Sequence, residues 1–419
     1  MEQVTPTRWR SVASASAING LALAALAVCA VILVPRAIDT IVSATARADA
    51  LAATLTAGAV TAVLAGPVFG RAIDLTRRHL SPRAWAVFGA LAGGGGIVAM
   101  FTSAHIAQTI TGWVVAQAGY NAVFVVVAAS VSTHVSAADH VRASATFTGI
   151  AFVSPLVPFA LVAVLPDATA VVAIVLALGA LAMTALISPA PGAADSTTPS
   201  RRRPHLPRPF WGIWAQRFLI QSALGLTTGF SLYLVTDRMA EAGGDPQRIV
   251  AVSALVGGIG VGIGAFAAGA VARRPGRSRV MLIAGALALA GAASLRAFAE
   301  MPLALWVASL AGGMGVGVFL SVNLALAMRY SRTVGHATVM GVLNAAESIP
   351  SILIPGVAGL LLRVGSGDPL STSPNNYVVM LLSGAGIAVL TALTSLPARA
   401  GHAARDDAPM ARRADSTSD

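Results

Sequence analysis

Apolar residues lie along this chain in long runs, separated by short connections that are rich in arginine, glycine and proline. A helix needs about 20 apolar residues to cross the hydrocarbon core of a bilayer. By this measure the pattern predicts twelve membrane-spanning helices, at about residues 12–34, 49–69, 84–104, 106–130, 144–165, 168–188, 210–236, 249–272, 279–299, 302–328, 337–362 and 377–396. The first run is too long for the apolar part of a secretory signal, and no small-residue cleavage site follows it, so we interpret it as a permanent helix.

The composition also indicates an integral membrane protein. Of the 419 residues, 56% are hydrophobic and 11% are charged, against about 25% charged in an average soluble domain. The mean hydropathy is +0.76. The single cysteine, Cys29, lies inside the first run, which excludes a disulfide or a cysteine-based metal site within the chain. The sequence has no Walker-type phosphate loop and no metal-ligand spacing of histidines, so we expect no cofactor and no direct use of ATP.

All 28 basic residues are arginine, and most of them lie on one side of the predicted membrane. With a cytoplasmic N-terminus, that side carries the first residues, the even-numbered connections and the last residues of the chain. The positive-inside rule therefore predicts that both termini are cytoplasmic. The formal net charge of +11 does not indicate nucleic-acid binding, because the arginines lie beside helix ends without interleaved aromatic residues. Attraction to anionic lipid head groups accounts for them.

A polar segment divides the predicted helices into two sets of six. Residues 188–209, SPAPGAADSTTPSRRRPHLPRP, are rich in proline, serine and arginine where their neighbours are apolar, which is typical of a linker. The pattern thus predicts an all-α integral membrane protein of two six-helix halves. The N-terminal half covers residues 1–187, a cytoplasmic linker 188–209, the C-terminal half 210–396, and a disordered cytoplasmic tail 397–419.

The two halves repeat each other in sequence. GRAIDLTRRH, residues 70–79, follows the second run, and GAVARRPGRSR, residues 269–279, follows the eighth. In both segments an arginine stands eight positions after the opening glycine. ATFTGIAFVSP (145–155) and ATVMGVLNAAESIP (337–350) both begin with the pattern A-T-x-x-G. Parallel repetition of two six-helix halves is typical of secondary transporters, whose solute site lies near the middle of the membrane between the halves.

The first of these segments resembles the signature loop of the major facilitator superfamily, roughly G-x-x-x-D-R-x-G-R-R. Gly70, Asp74 and Arg78 match this pattern, while Leu75 and Arg77 depart from it. A weaker copy is expected in the second half of these proteins. In the second half, Gly269, Arg274, Gly276 and Arg277 match this copy, while Arg273 stands at the position of the acidic residue. The resemblance implies the major facilitator fold and function as a monomer.

Three stretches resemble more narrowly the sugar–cation symporters of the melibiose and sucrose type. They are GPVFGRAIDLTRRHLSPRAW (66–85), FWGIWAQRFLIQSALG (210–225) and GVLNAAESIPSILIPGVAGLL (341–361). Those symporters carry acidic residues inside their first helices for cation coupling, whereas predicted helices 1 to 6 of this chain contain none at depth. Asp39 lies at the outer end of helix 1. The resemblance therefore implies a sugar-like solute but not that mode of coupling.

The family pattern also implies a conformational latch. In this interpretation the loop between helices 2 and 3 holds the halves together on the cytoplasmic side while the solute site is open to the outside. A carboxylate and arginines at helix ends can pair with each other and with helix termini of the neighbouring half. The predicted latch residues are Gly70, Asp74, Arg77, Arg78, Arg274, Gly276 and Arg277. The alternative is that the arginines only set the topology and that Asp74 is their local partner.

Two charged residues lie deep inside predicted helices. Glu347 is about ten residues into helix 11, roughly 15 Å deep, and Arg217 lies at a comparable depth in helix 7. Helices 7 and 11 are neighbours in the superfamily, so the resemblance favours an ion pair between these residues. Either the pair only fixes packing, or Glu347 exchanges a proton or binds a cation while Arg217 tunes it or meets a substrate anion. A third possibility is that Arg217 extends towards the head groups.

Polar side chains form stripes on several predicted helices. They are Asn19 in helix 1; Gln117, Tyr120 and Asn121 in helix 4; Arg217, Gln221 and Thr228 in helix 7; and Asn344 in helix 11. The spacings of three, four and seven residues place the members of a stripe on one face of a helix. Helices 1, 4, 7 and 10 line the central cavity in the superfamily, which implies cavity lining for the stripes on helices 4 and 7. The alternative is that these side chains join helices to one another.

The sequence thus predicts a secondary transporter of a bacterial cytoplasmic membrane, which moves a small organic solute by alternating access. Proton coupling is expected because Glu347 is the one deep carboxylate, with another cation as the alternative. Uptake of a sugar-like solute and export of a drug or natural product both stay open. A non-transporting receptor of the same fold is the alternative of another class. An intramembrane enzyme is disfavoured, because it needs a cluster of catalytic groups at one depth.

Overall fold

The computed structural model describes residues 7–43, 47–164, 168–187, 206–239, 246–271 and 277–395, which are helical apart from short connections. Twelve helices in these ranges are long and apolar enough to cross a membrane, and we number them spans 1 to 12. They are Trp9–Ile38, Ala53–Thr76, Pro82–Phe101, Ile106–His134, His140–Val162, Thr169–Leu186, Arg208–Met239, Arg248–Val271, Ser278–Ala297, Pro302–Met328, His336–Leu361 and Tyr377–Thr394. The all-α fold class and the twelve predicted spans are confirmed.

The sequence prediction is wrong about where span 2 ends. It ends the helix at residue 69 and places GRAIDLTRRH in a loop, whereas the helix Arg47–Thr76 contains both Gly70 and Asp74. Residues 70–76 include no proline, and the hydroxyl of Thr76 donates to the carbonyl of Ala72 at 2.7 Å. The polarity of this segment marks the end of the membrane and not the end of the helix.

Small residues allow neighbouring spans to pack closely. Lipid is as apolar as the protein interior, so packing in a membrane depends on close contact more than on burial of apolar side chains. Large apolar side chains such as Phe88 and Val157 are exposed on the outside of the bundle. Between spans 3 and 4, a Cβ atom added at Gly96 would lie 2.5 Å from the backbone of Ala116. Glycine is therefore required where these two backbones meet.

Three spans are interrupted within their length. Span 1 contains a π-helical turn, Cys29–Leu33, before it continues as Val34–Ile41. Span 5 consists of His140–Val153 and Leu156–Val164, and Pro155 at the break has no N–H for a continuous helix. Span 7 consists of Arg208–Thr228 and Ser231–Met239, with Gly229 at the break. Each break divides its span into two segments that need not share an axis.

The two ends of the bundle differ in charge. We call the end with turns 77–81, 135–139 and 329–335 the arginine-rich end, and the end with turns 102–105, 298–301 and 362–376 the opposite end. At the arginine-rich end, the backbone N–H of Arg8 donates to the carbonyl of His134 at 3.0 Å. Gln216 Nε2 donates to the carbonyl of Thr394 at 3.3 Å. These bonds place the ends of spans 1 and 4, and of spans 7 and 12, side by side.

The spans pack as two halves of six. In the first half, span 4 packs against spans 1, 2 and 3, and span 6 packs against spans 1 and 3. In the second half, span 10 packs against spans 8 and 9, and span 12 packs against spans 7 and 9. The halves meet where span 2 contacts span 11 and where span 5 contacts spans 8 and 10. The predicted linker lies outside the described residues except for 206–209, where span 7 already begins at Arg208, and the predicted tail lies wholly outside them.

At the opposite end, a buried ion pair fastens span 7 to the connection between spans 11 and 12. Arg238 donates from Nε to Asp368 Oδ2 at 2.6 Å and from Nη2 to Oδ1 at 2.7 Å, and both side chains have an exposed fraction of 0%. Arg238 Nη1 also donates to the carbonyl of Ala297 at 2.8 Å. The segment Ser231–Met239 is thereby held against residues 362–376 beyond the break in span 7.

We predict that Asp368→Asn destabilises the fold by about 3 kcal/mol, because it leaves the guanidinium of Arg238 buried without a counter-charge. Equilibrium unfolding of the purified protein in mixed detergent micelles measures the loss. Asp237→Asn is the matched control, since Asp237 is exposed on the same helical segment and, among the described residues, accepts hydrogen bonds from the hydroxyls of Ser373 and Tyr377. Equal losses in the two variants would contradict the role given to the ion pair.

Candidate functional site

A cavity of about 520 Å³ lies between the two halves. Spans 1, 2, 4 and 5 of the first half and spans 7, 10 and 11 of the second half contribute to its wall. The volume falls within the range of about 300–1,000 Å³ that is usual for small-molecule sites. Spans 1, 4, 7 and 11 contribute amide side chains and one ion pair among apolar side chains, while spans 5 and 10 present mostly apolar side chains. The cavity therefore suits a small organic molecule that is polar on one side.

Most of the residues predicted for the solute and coupling site lie in this wall. They are Asn19, Gln117, Asn121, Arg217, Gln221, Asn344 and Glu347. Tyr120 is the exception: it lies outside the wall and is fully buried in the interface with span 3, where a Cβ atom added at Gly93 would lie 2.7 Å from its ring. Each residue turns a helix by about 100°, so Tyr120 lies about 60° from Gln117 and about 100° from Asn121 around the axis of span 4, to one side of the surface that these two share. Thr228 is exposed outside the cavity wall.

Arg217 and Glu347 form an ion pair in the wall of the cavity. Arg217 Nη2 donates to Glu347 Oε1, and Arg217 Nη1 donates to Asn323 Oδ1 at 3.3 Å. Asn323 is held in turn by its own Nδ2, which donates to the carbonyl of Ile213 at 3.0 Å. The pair thus joins spans 7, 10 and 11 within the second half. The side chain of Glu347 is 31% exposed and that of Arg217 is 8% exposed, so the carboxylate is the more accessible of the two charges.

Amide side chains extend the polar part of the wall. Asn121 Oδ1 accepts a hydrogen bond from Asn344 Nδ2 at 2.8 Å, which joins span 4 of the first half to span 11 of the second. Asn121 Nδ2 also donates to the carbonyl of Gln117 at 2.8 Å, which fixes the orientation of its amide. The bond between Asn121 and Asn344 therefore connects the two halves within the wall of the cavity.

Beyond this bond, a carboxylate of the first half caps a helix of the second half. Asp74 Oδ2 accepts from the backbone N–H of Thr338 at 2.7 Å, and its Oδ1 accepts from that of Ala337 at 3.4 Å. These are unpaired N–H groups of the first turn of span 11, where a negative charge is favourable. The preceding residue, Gly335, has a φ of 121° and has no side chain to cap the helix itself. Asp74 supplies the cap from span 2, and a Cβ atom at Gly335 would collide with its carboxylate.

Glycine lets spans 2 and 11 approach closely between the cap and the cavity. A Cβ atom added at Gly70 would lie 2.5 Å from the carbonyl oxygen of Ala337, and one added at Gly66 would lie 2.7 Å from that of Gly341. At the arginine-rich end, Ser132 Oγ of span 4 and His336 Nδ1 of span 11 are also 2.7 Å apart. These contacts cross from one half to the other at the arginine-rich end.

The other predicted latch residues lie elsewhere. Arg77 and Arg78 belong to the turn after span 2, where Arg77 is half-buried and Arg78 is exposed. Arg277 precedes span 9 and is exposed, and its side chain forms no hydrogen bond or ion pair with the residues that the structure describes. Arg274 and Gly276 lie outside the described residues. The structure therefore brings Gly70 and Asp74, but not Arg277, to the contact between the halves.

Sequence reasoning missed several residues of this region. Gly66 and Gly70 form a G-x-x-x-G pattern in span 2, and Ala337 and Gly341 form a matching A-x-x-x-G pattern in span 11. Such small-residue pairs are a known signal of close helix contact in membranes, so this contact could have been predicted. Asn323 lies in a long apolar run, and nothing in its local sequence connects it with a residue 106 positions away.

We predict that Gly341→Ala opens the arginine-rich end, because a Cβ atom there would overlap the carbonyl oxygen of Gly66. Overpacking of this kind costs about 1–3 kcal/mol, and only the closed arrangement bears that cost. Spin labels at His79→Cys and Arg329→Cys, which are exposed positions in the two halves, report the opening as longer label distances in a Cys29→Ala background.

Gly356→Ala is the control for this experiment. Gly356 lies in the same span, and a Cβ atom there would meet nothing within 4 Å. The label distances in Gly356→Ala should match those in the labelled protein that keeps all its glycines. The same distances in Gly341→Ala would refute the closing role of the glycine contact.

Comparison with known proteins agrees with this geometry. The sequence profile of the Major Facilitator Superfamily matches residues 12–355. No curated protein matches the chain in sequence.

Several solved structures share the fold. The human organic anion transporter MFSD10 (TETRAN) has a TM-score of 0.74 at 15% identity, covering 93% of this chain and 99% of its own. A bacterial homologue of the iron transporter ferroportin in the outward-facing state has a TM-score of 0.72 at 13% identity, with coverages of 92% and 98%. The proton:xylose symporter XylE has a TM-score of 0.69 at 12% identity, with coverages of 92% and 94%. Since the profile covers most of the chain and the fold is the same, this protein belongs to the major facilitator superfamily.

Proposed function

We propose that this protein is a proton-coupled secondary transporter, which moves a small organic solute across the cytoplasmic membrane by alternating access. The observation that carries the proposal is a solute-sized cavity between the halves, together with contacts that join one half to the other. These contacts are a helix cap, an amide pair and a glycine contact, all of which can separate without unfolding either half. A cavity with such a boundary fits one of the two states between which a transporter rocks.

In this proposal the arginine-rich end faces the cytoplasm of a bacterium, so both termini are cytoplasmic and the cavity serves the outside in the present state. The protein acts as a monomer, because the cavity is built from the two halves of one chain. The resemblance of residues 66–85, 210–225 and 341–361 to sugar–cation symporters supports uptake of a sugar-like solute. The amides of the wall would bind hydroxyl groups of such a solute.

Asp74 serves as the latch in this cycle. When the halves separate at the arginine-rich end, the N–H groups of Ala337 and Thr338 lose their acceptor and must bind water instead. The cap therefore stabilises the closed arrangement selectively. Gly70 permits the approach, and Arg77 and Arg78, together with Arg274, Gly276 and Arg277 of the second half, complete the proposed latch. The alternative role of these arginines is to set the topology alone.

Glu347 carries the proton in this proposal. It is the one carboxylate among the residues that line the described cavity, and its exposed oxygen is accessible to water. Protonation would remove its charge, weaken the bond to Arg217 and loosen the connection between spans 7 and 11. The competing interpretation is that the pair serves packing alone, and the two interpretations differ in how a Glu347 variant responds to a proton gradient.

We predict that Asp74→Asn lowers transport while expression and folding are retained. Loss of the charge at the helix terminus costs the closed state about 1–2 kcal/mol, which lowers its population relative to the open state about fivefold to thirtyfold. Flux into proteoliposomes measures the effect, with a solute chosen because it stabilises the purified protein against heat. Asp139→Asn is the control, since Asp139 lies at the same end but bonds to Thr7 of its own half. Unchanged flux in Asp74→Asn would contradict the latch.

We predict that Glu347→Gln uncouples transport from the proton gradient. At saturating solute, exchange of labelled for unlabelled solute should continue, whereas accumulation driven by an imposed pH gradient should fall to the level seen with a protonophore. Glu300→Gln, in the exposed turn after span 9, should accumulate solute like the unmodified protein. Gradient-driven accumulation that survives in Glu347→Gln would leave the ion pair with a packing role. Absence of flux for every stabilising solute in the unmodified protein would refute transport itself.

A further inference from the structure

We infer that the transported solute is an organic amine, positively charged and carried on an apolar body, and that its ammonium group binds the free oxygen of Glu347. The inference rests on the proposed transport function, and it replaces the sugar-like solute that the sequence resemblance supports with a cationic class of solute. It depends on which charge of the cavity a solute can reach, and on the chemistry of the surrounding wall.

The two charges of the cavity are not equally available. Glu347 uses Oε1 for Arg217, and its Oε2 has no hydrogen-bond partner among the residues described. Arg217 has an exposed side-chain fraction of 8%, and two of its nitrogens already donate to Glu347 and Asn323. Its remaining Nε is buried. A solute in the cavity therefore reaches the carboxylate oxygen more readily than the guanidinium group, which favours a cationic donor over an anion.

The carboxylate can hold both cations at the same time. A carboxylate offers about four lone-pair positions on two oxygens, so Oε1 can keep Arg217 while Oε2 accepts from an ammonium group. The ion pair between Arg217 and Glu347 can then stay intact when the solute binds. Charge-assisted hydrogen bonds of this kind are roughly twice as strong as neutral ones. The ammonium group therefore has a single preferred position in the wall.

The rest of the wall suits the remainder of such a molecule. Asn19, Gln117 and Gln221 have no hydrogen-bond partner for their amides among the described side chains, and their oxygens can accept further N–H groups. Trp113, Phe124, Phe147 and Phe152 also line the cavity. Aromatic faces attract cations as well as apolar groups. This attraction offsets part of the free energy that the ammonium group loses when it leaves water.

The test uses three probes with one apolar body and different heads, namely phenylbutylamine, phenylbutanol and phenylbutyrate. Binding to the full-length protein in detergent is measured by calorimetry at mildly alkaline pH, with empty micelles subtracted. We expect the amine to bind at least about tenfold more tightly than the alcohol or the acid, as one charged hydrogen bond allows. Glu347→Gln should remove this preference, and Glu347→Asp, which retains the charge, should keep it in part. Glu300→Gln is the matched control and should leave it unchanged.

Tighter binding of the alcohol or the acid would overturn the inference, as would an amine that binds weakly or binds Glu347→Gln as well as the unmodified protein. If Glu347→Gln fails to fold, comparison of the three probes on the unmodified protein and on Glu347→Asp still decides the matter. Gradient-driven flux of a heat-stabilising solute tests the proposed transport function separately, because that measurement uses none of these probes.

Discussion

One electrostatic contact, between the carboxylate of Asp74 and the start of span 11, joins the two halves at the arginine-rich end. The first turn of any helix presents N–H groups that need acceptors, and a glycine at the start of span 11 cannot provide one. The acceptor comes from the other half of the molecule. Completion of a secondary-structure element is thereby tied to the relative position of the two halves, and the close packing of Gly66, Gly70 and Gly341 follows from the same approach.

A second constraint is the small number of charges in the cavity. The lining residues include one carboxylate and one guanidinium group, and these are paired with each other. An unpaired charge inside a membrane is costly, and the pairing of these two charges lowers the free energy needed to place them there. Its two members are nonetheless held differently: Asn323 and spans 7 and 10 surround Arg217, whereas Glu347 borders the open volume. Chemistry at this site is therefore centred on the carboxylate.

Sequence reasoning was sufficient for the fold and for much of the site, for separable reasons. Span length and apolar character are local properties, so all twelve spans could be found, and the depths of Arg217 and Glu347 followed from counting residues. The end of span 2 could not be located in this way, because arginine and aspartate mark the membrane surface without ending a helix. The rotation of span 4 about its axis escaped prediction too, so Tyr120 was assigned to the wrong face. Contacts such as that between Arg217 and Asn323 depend on how distant spans pack, which one sequence does not reveal.

The ion pair between Arg238 and Asp368 has a consequence for engineering this protein. Its partners are 130 positions apart in sequence, yet they share one buried contact and hold two short segments together. The segments Ser231–Met239 and 362–376 are therefore one module in the folded protein, although spans 8 to 11 separate them along the chain. A chimera that takes one segment from a relative without this ion pair and keeps the other would leave a buried charge without its partner. Exchange of both segments together would preserve the module.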